Sequence, residues 1–101
     1  MIVDLERDPT FDNANYDVCI VGGGVAGITI ARTLANAGRK VILLEAGGEK
    51  YEVSKQEPYQ GENIGFPYQG VAATRVRQLG GTSSVWGGVC RPLTPFDISE
   101  R

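Results

Sequence analysis

The stretch Tyr16-Asp-Val-Cys-Ile-Val-Gly22-Gly-Gly24-Val-Ala-Gly27 decides how this chain folds. A short apolar run leads directly into a Gly-x-Gly-x-x-Gly turn, and a segment with helical periodicity follows the turn. In this order, a strand, a glycine turn and a helix can hold the pyrophosphate of a dinucleotide at the N-terminus of the helix. The sequence therefore predicts a nucleotide-binding unit of the α/β class.

The three glycines of the motif have different tasks. Gly22 permits the tight turn out of the strand, Gly24 lets the backbone approach the phosphates, and Gly27 lets the helix lie close to the strand. The backbone amides near Val25 and Ala26 are expected to face the anion, helped by the helix dipole. A glycine-rich turn without a ligand is the alternative interpretation of this motif.

Hydrophobic patterning predicts strands at 17–21 and 41–44, joined by a helix over 25–37. Gly38 stands where a left-handed residue usually ends a helix. Strand, helix and strand in this length form one right-handed βαβ unit with Rossmann-like topology. The apolar helix residues expected to pack on the sheet are Ile28, Ile30, Ala31, Leu34 and Ala35.

Weaker patterns lie outside this unit. The apolar residues of 2–5 predict a short edge strand, and alternation over 74–79 predicts another. Residues 47–73 mix charged residues, tyrosines and prolines, and we expect a long loop there that is functional or belongs to an inserted layer.

An acid, Glu45, follows the second apolar run. A carboxylate at this end of the strand can accept hydrogen bonds from both hydroxyls of an adenosine ribose, and it repels a 2′-phosphate. This argues against NADP. Arg39 and Lys40 fall at the opposite end of the strand and are not expected to bind a phosphate. A solvated acid is the alternative interpretation of Glu45.

A second glycine-rich loop, residues 80–88, distinguishes between cofactors. Gly80 and Gly81 allow another close backbone approach, which suits a cofactor longer than a nicotinamide dinucleotide. Arg75 and Arg77 could place a guanidinium beside a phosphate or a flavin carbonyl. A surface turn with solvated arginines is the alternative. Hydroxyl donors in this loop are Thr82, Ser83 and Ser84.

Composition narrows the class of protein. The 101 residues are 42% hydrophobic, carry a formal charge of −2 and show no basic cluster, so we expect no nucleic-acid partner. No apolar run reaches the ~18 residues of a membrane span, and no secretory leader is recognisable, so a cytoplasmic location is expected. The two cysteines fit no metal spacing. Histidine is absent, which excludes a histidine base within these residues.

Three segments together resemble the N-terminal flavin-binding region of the glucose–methanol–choline (GMC) oxidoreductases. The resemblance covers most of residues 16–98, and residues 90–97 resemble the continuation seen in a bacterial branch of that family. The segments are Val18-Cys-Ile-Val-Gly-Gly-Gly-Val-Ala-Gly27, Val41-Ile-Leu-Leu-Glu-Ala-Gly-Gly48 and Arg77-Gln-Leu-Gly-Gly-Thr-Ser-Ser-Val-Trp-Gly-Gly88.

This resemblance implies FAD as the cofactor and oxidation of a CH–OH group of an alcohol or sugar by hydride transfer to the flavin. It assigns the pyrophosphate to 22–27, the adenosine ribose to Glu45, and the pyrophosphate and ribityl chain to the neighbourhood of Gly81. Trp86 stands where many members carry asparagine near the flavin ring, and its indole offers an N–H and stacking area. The expected cofactor-binding residues are Gly22, Gly24, Val25, Ala26, Gly27, Glu45, Arg77, Gly80, Gly81, Thr82, Ser83, Trp86 and Gly87.

One βαβ unit does not make a domain, because its two apolar strands need helices on both faces and further strands at their sides. We therefore expect residues 1–15 to be an N-terminal extension and residues 16–101 to be part of the FAD-binding domain of a larger, two-domain flavoprotein. The family's catalytic histidine would lie outside this chain, so no catalytic residue is assigned here. An NAD-dependent dehydrogenase and a non-catalytic nucleotide-binding remnant are the alternatives.

Overall fold

A computed structural model describes residues 1–12 and 15–99 of the chain. Strands β1 and β2 and helix α1 form its regular part, and two 3₁₀ helices and two single-turn helices follow. In chain order the elements are β1 (Val18–Val21), α1 (Val25–Asn36), β2 (Val41–Leu44), the first 3₁₀ helix (Val53–Tyr59), α2 (Val71–Thr74), the second 3₁₀ helix (Gly81–Ser84) and α3 (Pro95–Ile98).

Strands β1 and β2 pair in parallel, with Val18 opposite Val41 and Val21 opposite Leu44. Parallel neighbours require a crossover connection, and α1 provides it. The predicted strand–helix–strand unit is therefore confirmed. Its geometry brings the start of α1 and the residues after β2 to the same edge of the sheet.

Helix α1 ends at Asn36 with Ala37 as its C-cap, and Gly38 adopts the left-handed conformation with φ 79°, as predicted. The inward stripe of the helix consists of half-buried residues, whereas Ile30 is 51% exposed and Ala35 is also exposed. The expectation that these two residues pack on the sheet is wrong, because they lie outside the inward stripe. That stripe is Gly27, Ile28, Ala31 and Leu34.

Both weaker strand predictions are also wrong. Residues 4–8 form a turn instead, in which the carbonyl of Asp4 accepts from the amides of Arg7 and Asp8. The alternating stretch 74–79 has a single isolated bridge, between Gly48 and Gln78, and forms no ladder.

The sheet is thinly covered. Among the described residues no hydrophobic side chain is buried, and Val21 on β1 is 83% exposed. Two strands and one helix can cover only one face of a sheet, which explains this exposure. The domain boundary at 15/16 stays a prediction. None of the helices in the described part of the chain has the length and apolar character needed to cross a membrane.

Candidate cofactor site

The first glycine loop, residues 22–27, leaves β1 and enters α1. Gly22 has φ 102°, a backbone conformation that residues other than glycine rarely adopt. A Cβ on Gly27 would lie 2.0 Å from the carbonyl oxygen of Gly22, so the chain itself requires glycine there. Gly24 differs, because its φ of −77° is ordinary and a Cβ would meet nothing within 4 Å. The open space beside Gly24 is therefore available to a ligand.

The start of α1 presents unpaired amides beside that space. The first helical hydrogen bond joins the Ile28 amide to the Gly24 carbonyl at 2.9 Å. The amides of Val25, Ala26 and Gly27 therefore have no acceptor within the helix. They lie at the positive end of the helix dipole, where an anionic phosphate is stabilised.

Glu45 follows β2 directly and braces the first glycine loop. Its Oε2 accepts from the Gly23 amide at 2.7 Å, and its Oε1 accepts from the Gly47 amide at 2.8 Å. The side chain is half-buried between these two backbone segments. Each carboxylate oxygen has a second acceptor site, so Glu45 can still receive two hydroxyl groups. This is the hydrogen-bonding capacity that the sequence argument required for a ribose.

The second glycine loop lies against the first. The Gly80 amide donates to the Gly23 carbonyl at 2.7 Å, and Gly80 forms a parallel bridge with Gly24. A Cβ on Gly81 would lie 3.3 Å from the Cα of Gly24. The Leu79 amide adds a bond of 2.9 Å to the carbonyl of Gly48. Two glycine loops that are distant in sequence thus border one space.

The hydroxyls of the second loop act mainly within the loop. The Thr82 hydroxyl accepts from the Val76 amide at 3.1 Å. The Ser83 hydroxyl donates to the Gly80 carbonyl, and the Ser84 hydroxyl donates to the Gly81 carbonyl at 2.8 Å. Both serine protons are donated within the loop, and contact of Ser83 with a cofactor stays a prediction.

The remaining predicted residues lie at the periphery of this arrangement. The Arg77 guanidinium donates to the Lys55 carbonyl at 3.1 Å, and that of the exposed Arg75 donates to the neighbouring Thr74 carbonyl at 2.9 Å. Trp86 is 47% exposed, and Gly87 beside it is exposed. Their contact with a cofactor stays a prediction.

Sequence reasoning missed Gln56, which belongs to the first 3₁₀ helix. Its exposed fraction is 7%, and its carboxamide pairs with both the amide and the carbonyl of Arg77. Gln56 is a polar residue between the polar residues Lys55 and Glu57, so no periodic pattern distinguishes it from its neighbours.

These features fit the diphosphate and ribose of a dinucleotide. A Cβ on Gly24 would meet no protein atom within 4 Å, the amides at the start of α1 lack acceptors within the helix, and Glu45 keeps free acceptor sites. Among the described residues no cluster of three potential metal ligands occurs. The expectation that no metal binds here stays a prediction.

Comparison with known proteins adds the identity of the dinucleotide. The family model "FAD dependent oxidoreductase" matches residues 17–56, which contain β1, the first glycine loop, α1, β2 and Glu45. No solved structure gives a significant match to the chain.

Three relatives illustrate the range of similar proteins. (S)-6-hydroxynicotine oxidase of Paenarthrobacter nicotinovorans is 60% identical over 35 residues, 35% of this chain. Amine oxidase [flavin-containing] A of Sus scrofa is 33% identical over 81 residues, 74% of this chain. An (R)-mandelonitrile lyase-like protein of Arabidopsis thaliana is 38% identical over 87 residues, 72% of this chain. The chain covers only 8%, 15% and 16% of these relatives, respectively.

These matches support a flavin rather than a nicotinamide cofactor, and they are broader than the GMC family that the sequence resembles. They include oxidases whose names specify amines or hydroxynicotine. The cofactor is FAD, and the chain carries an FAD-binding segment of the kind found in FAD-dependent oxidoreductases.

Proposed function

We propose that the complete protein containing this segment is a GMC-type oxidoreductase that oxidises a CH–OH group of an alcohol or sugar. The observation that carries the proposal is the 2.7 Å hydrogen bond between Gly80 and Gly23. It brings the 77–88 motif, the more specific part of the resemblance, to the expected pyrophosphate loop. When bound, FAD supplies the redox chemistry by accepting a hydride at its flavin ring.

The residues of this chain bind and orient the cofactor. The amides of Val25 and Ala26 would hold the diphosphate, because they lack helical acceptors and lie at the positive end of α1. Glu45 would accept from the ribose hydroxyls while it braces Gly23. Gly81 and Thr82 would lie along the diphosphate and ribityl chain, because Gly81 borders Gly24.

The base that removes the hydroxyl proton lies elsewhere in the complete protein under this proposal. The chain contains no histidine and covers only a small part of its relatives. Substrate-binding residues and the site of the electron acceptor are placed outside it for the same reason. The proposed location of the complete protein is the cytoplasm.

Oxidation of an amine is the second candidate. The names of the Sus scrofa amine oxidase and of the (S)-6-hydroxynicotine oxidase favour it. The same diphosphate and ribose contacts serve both candidates, because both reactions need the same flavin. The two candidates differ only in the donor that reduces it.

Anaerobic reduction of the purified complete protein tests both candidates. The released cofactor is first identified by mass spectrometry and is expected to be FAD. The flavin absorbance is then followed with panels of alcohols, sugars and amines. Bleaching by an alcohol or sugar supports the proposal, and bleaching by amines alone replaces it with the second candidate. Bound FAD that no donor reduces would favour the non-catalytic remnant.

A further inference from the structure

The residue that sequence reasoning missed has a specific geometry. Gln56 is the one buried polar side chain among the described residues. Its Nε2 donates to the Arg77 carbonyl at 2.9 Å, and its Oε1 accepts from the Arg77 amide at 2.8 Å. The carboxamide thus pairs with one residue's backbone in the way that a neighbouring strand would. A third bond, 3.0 Å from Nε2 to the Glu52 carbonyl, anchors it to its own 3₁₀ helix.

The paired backbone leads directly to the cofactor site. Beyond Arg77, the Leu79 amide bonds to Gly48 and the Gly80 amide bonds to Gly23. Residues 77–80 are therefore held at three points, and Gln56 supplies the first of them. At that point a Cβ on Gly47 would lie only 2.4 Å from the Arg77 carbonyl oxygen, so the two backbones are in direct contact.

We propose that Gln56 is a positioning residue for FAD binding, which sets the second glycine loop against the first by clamping the backbone of Arg77. The inference rests on the FAD site described above and adds a residue whose side chain bonds to Glu52 and Arg77 rather than to the first loop. Arg77 reinforces the clamp, because its guanidinium donates to the Lys55 carbonyl at 3.1 Å.

The clamp explains why a buried glutamine is used at this place. The amide and carbonyl of Arg77 have no partner strand, because the only bridge of this stretch lies one residue further on, at Gln78. Without the carboxamide both backbone groups would be left unpaired at a half-buried position. The second loop would then be held only through Leu79 and Gly80.

The test compares Gln56→Met with Gln60→Met in the complete protein. Methionine has a similar length but cannot pair with a peptide group. Gln60 is exposed and belongs to the same part of the chain, so it receives the same chemical change without a clamp. The readouts are the Kd for FAD and hydrogen–deuterium exchange of residues 77–81 in the FAD-free protein, with α1 as the internal reference.

For Gln56→Met we expect a Kd for FAD raised about tenfold and faster exchange of residues 77–81, with unchanged exchange in α1. Gln60→Met is expected to leave both quantities unchanged. Unchanged exchange in the Gln56 variant would overturn the clamp. Faster exchange with an unchanged Kd would overturn its role in FAD binding and leave a purely structural contact.

A second variant, Gln56→Glu, tests the clamp if Gln56→Met does not fold. Gln56→Glu keeps an acceptor for the Arg77 amide but turns an oxygen toward the Arg77 carbonyl, so we expect faster exchange at 77–81 with α1 intact. If the wild-type protein binds no FAD, the proposed function fails, and exchange of residues 77–81 still decides whether the clamp exists.

Discussion

The amide of Gly80 donates a 2.7 Å hydrogen bond to the carbonyl of Gly23, and this bond joins two glycine loops that are far apart in the sequence. Because Gly23 also donates its own amide to Glu45, one peptide segment links the second loop to the acid after β2. The three parts of the proposed FAD site are therefore connected through Gly23. A substitution in any one of these parts is expected to shift the backbone of the other two.

Gly24→Ala separates ligand binding from folding. A Cβ at this position meets no protein atom within 4 Å, so the substituted chain keeps its structure. The methyl group would occupy the space proposed for the diphosphate, and we expect the Kd for FAD to rise at least about tenfold, with an unchanged thermal midpoint.

Gly61→Ala is the matched control for this prediction. A Cβ on Gly61 also meets nothing, and Gly61 lies far along the chain from the first loop. Isothermal titration with FAD should give the wild-type Kd for Gly61→Ala. Wild-type affinity in Gly24→Ala would contradict the proposed diphosphate position.

Gly27→Ala should damage the fold itself. Its Cβ would lie 2.0 Å from the Gly22 carbonyl oxygen, and because both groups belong to the backbone the helix must shift from β1. Overpacking of this kind costs about 1–3 kcal/mol in the free energy of unfolding. Urea denaturation of the complete protein measures it, and a loss below about 0.5 kcal/mol would argue against the close approach of α1 to the first loop.

Glu45→Gln should weaken both the hydrogen bonds that Glu45 accepts from Gly23 and Gly47 and the binding of FAD. The amide oxygen can accept from Gly23 or from Gly47, but the new NH₂ group would then face the other amide donor. An unpaired group of this kind costs about 1–3 kcal/mol, so the Kd for FAD is expected to rise about tenfold or more. Glu49→Gln, at an exposed position, is the control and should bind normally.

Asp97 should titrate below its ordinary range. Hydrogen bonds from the hydroxyl and the backbone amide of Thr94, at 2.7 Å and 2.8 Å, lower the pKa of Asp97 below 3.8, and Arg91 adds a smaller effect. Since the folded pKa is depressed, the stabilisation of α3 is complete above the unfolded value of 3.8 and is lost as the pH falls through the folded pKa.

Titration of the Asp97 carboxyl by NMR checks this prediction. Thr94→Val removes the hydroxyl and should move the pKa back toward 3.8, whereas Ser99→Ala should not change it, because the Ser99 hydroxyl bonds to Phe96. A wild-type value at or above 3.8 would show that the hydrogen bonds from Thr94 do not persist in solution.

The sequence predicts the βαβ unit well because its signals are local. The Gly-x-Gly-x-x-Gly turn, the helical period and Gly38 each report on a few adjacent residues, and β2 agrees with its predicted range. The position of Glu45 follows from the same unit. The proximity of the two glycine loops follows from the chemistry expected of both motifs, which would bind the same diphosphate. No hydrophobic pattern in the sequence predicts it.

The remaining interactions depend on contacts that leave no periodic trace. Residues 74–79 alternate like a strand, yet the partner of Arg77 is a side chain 21 positions earlier. Pairing between a side chain and a distant backbone segment cannot be inferred from hydropathy. Gln56 could not be predicted for the same reason, because its neighbours in sequence, Lys55 and Glu57, are polar as well.

The bare outer side of the two-stranded sheet has a consequence for handling this polypeptide. Val21 is 83% exposed and Leu44 39% exposed, and neither strand has a second neighbour within the described residues. Open edges beside apolar side chains recruit other copies of a chain. Produced by itself, the 101-residue polypeptide is expected to aggregate into insoluble material during expression, and a solubilising fusion partner is needed to recover it.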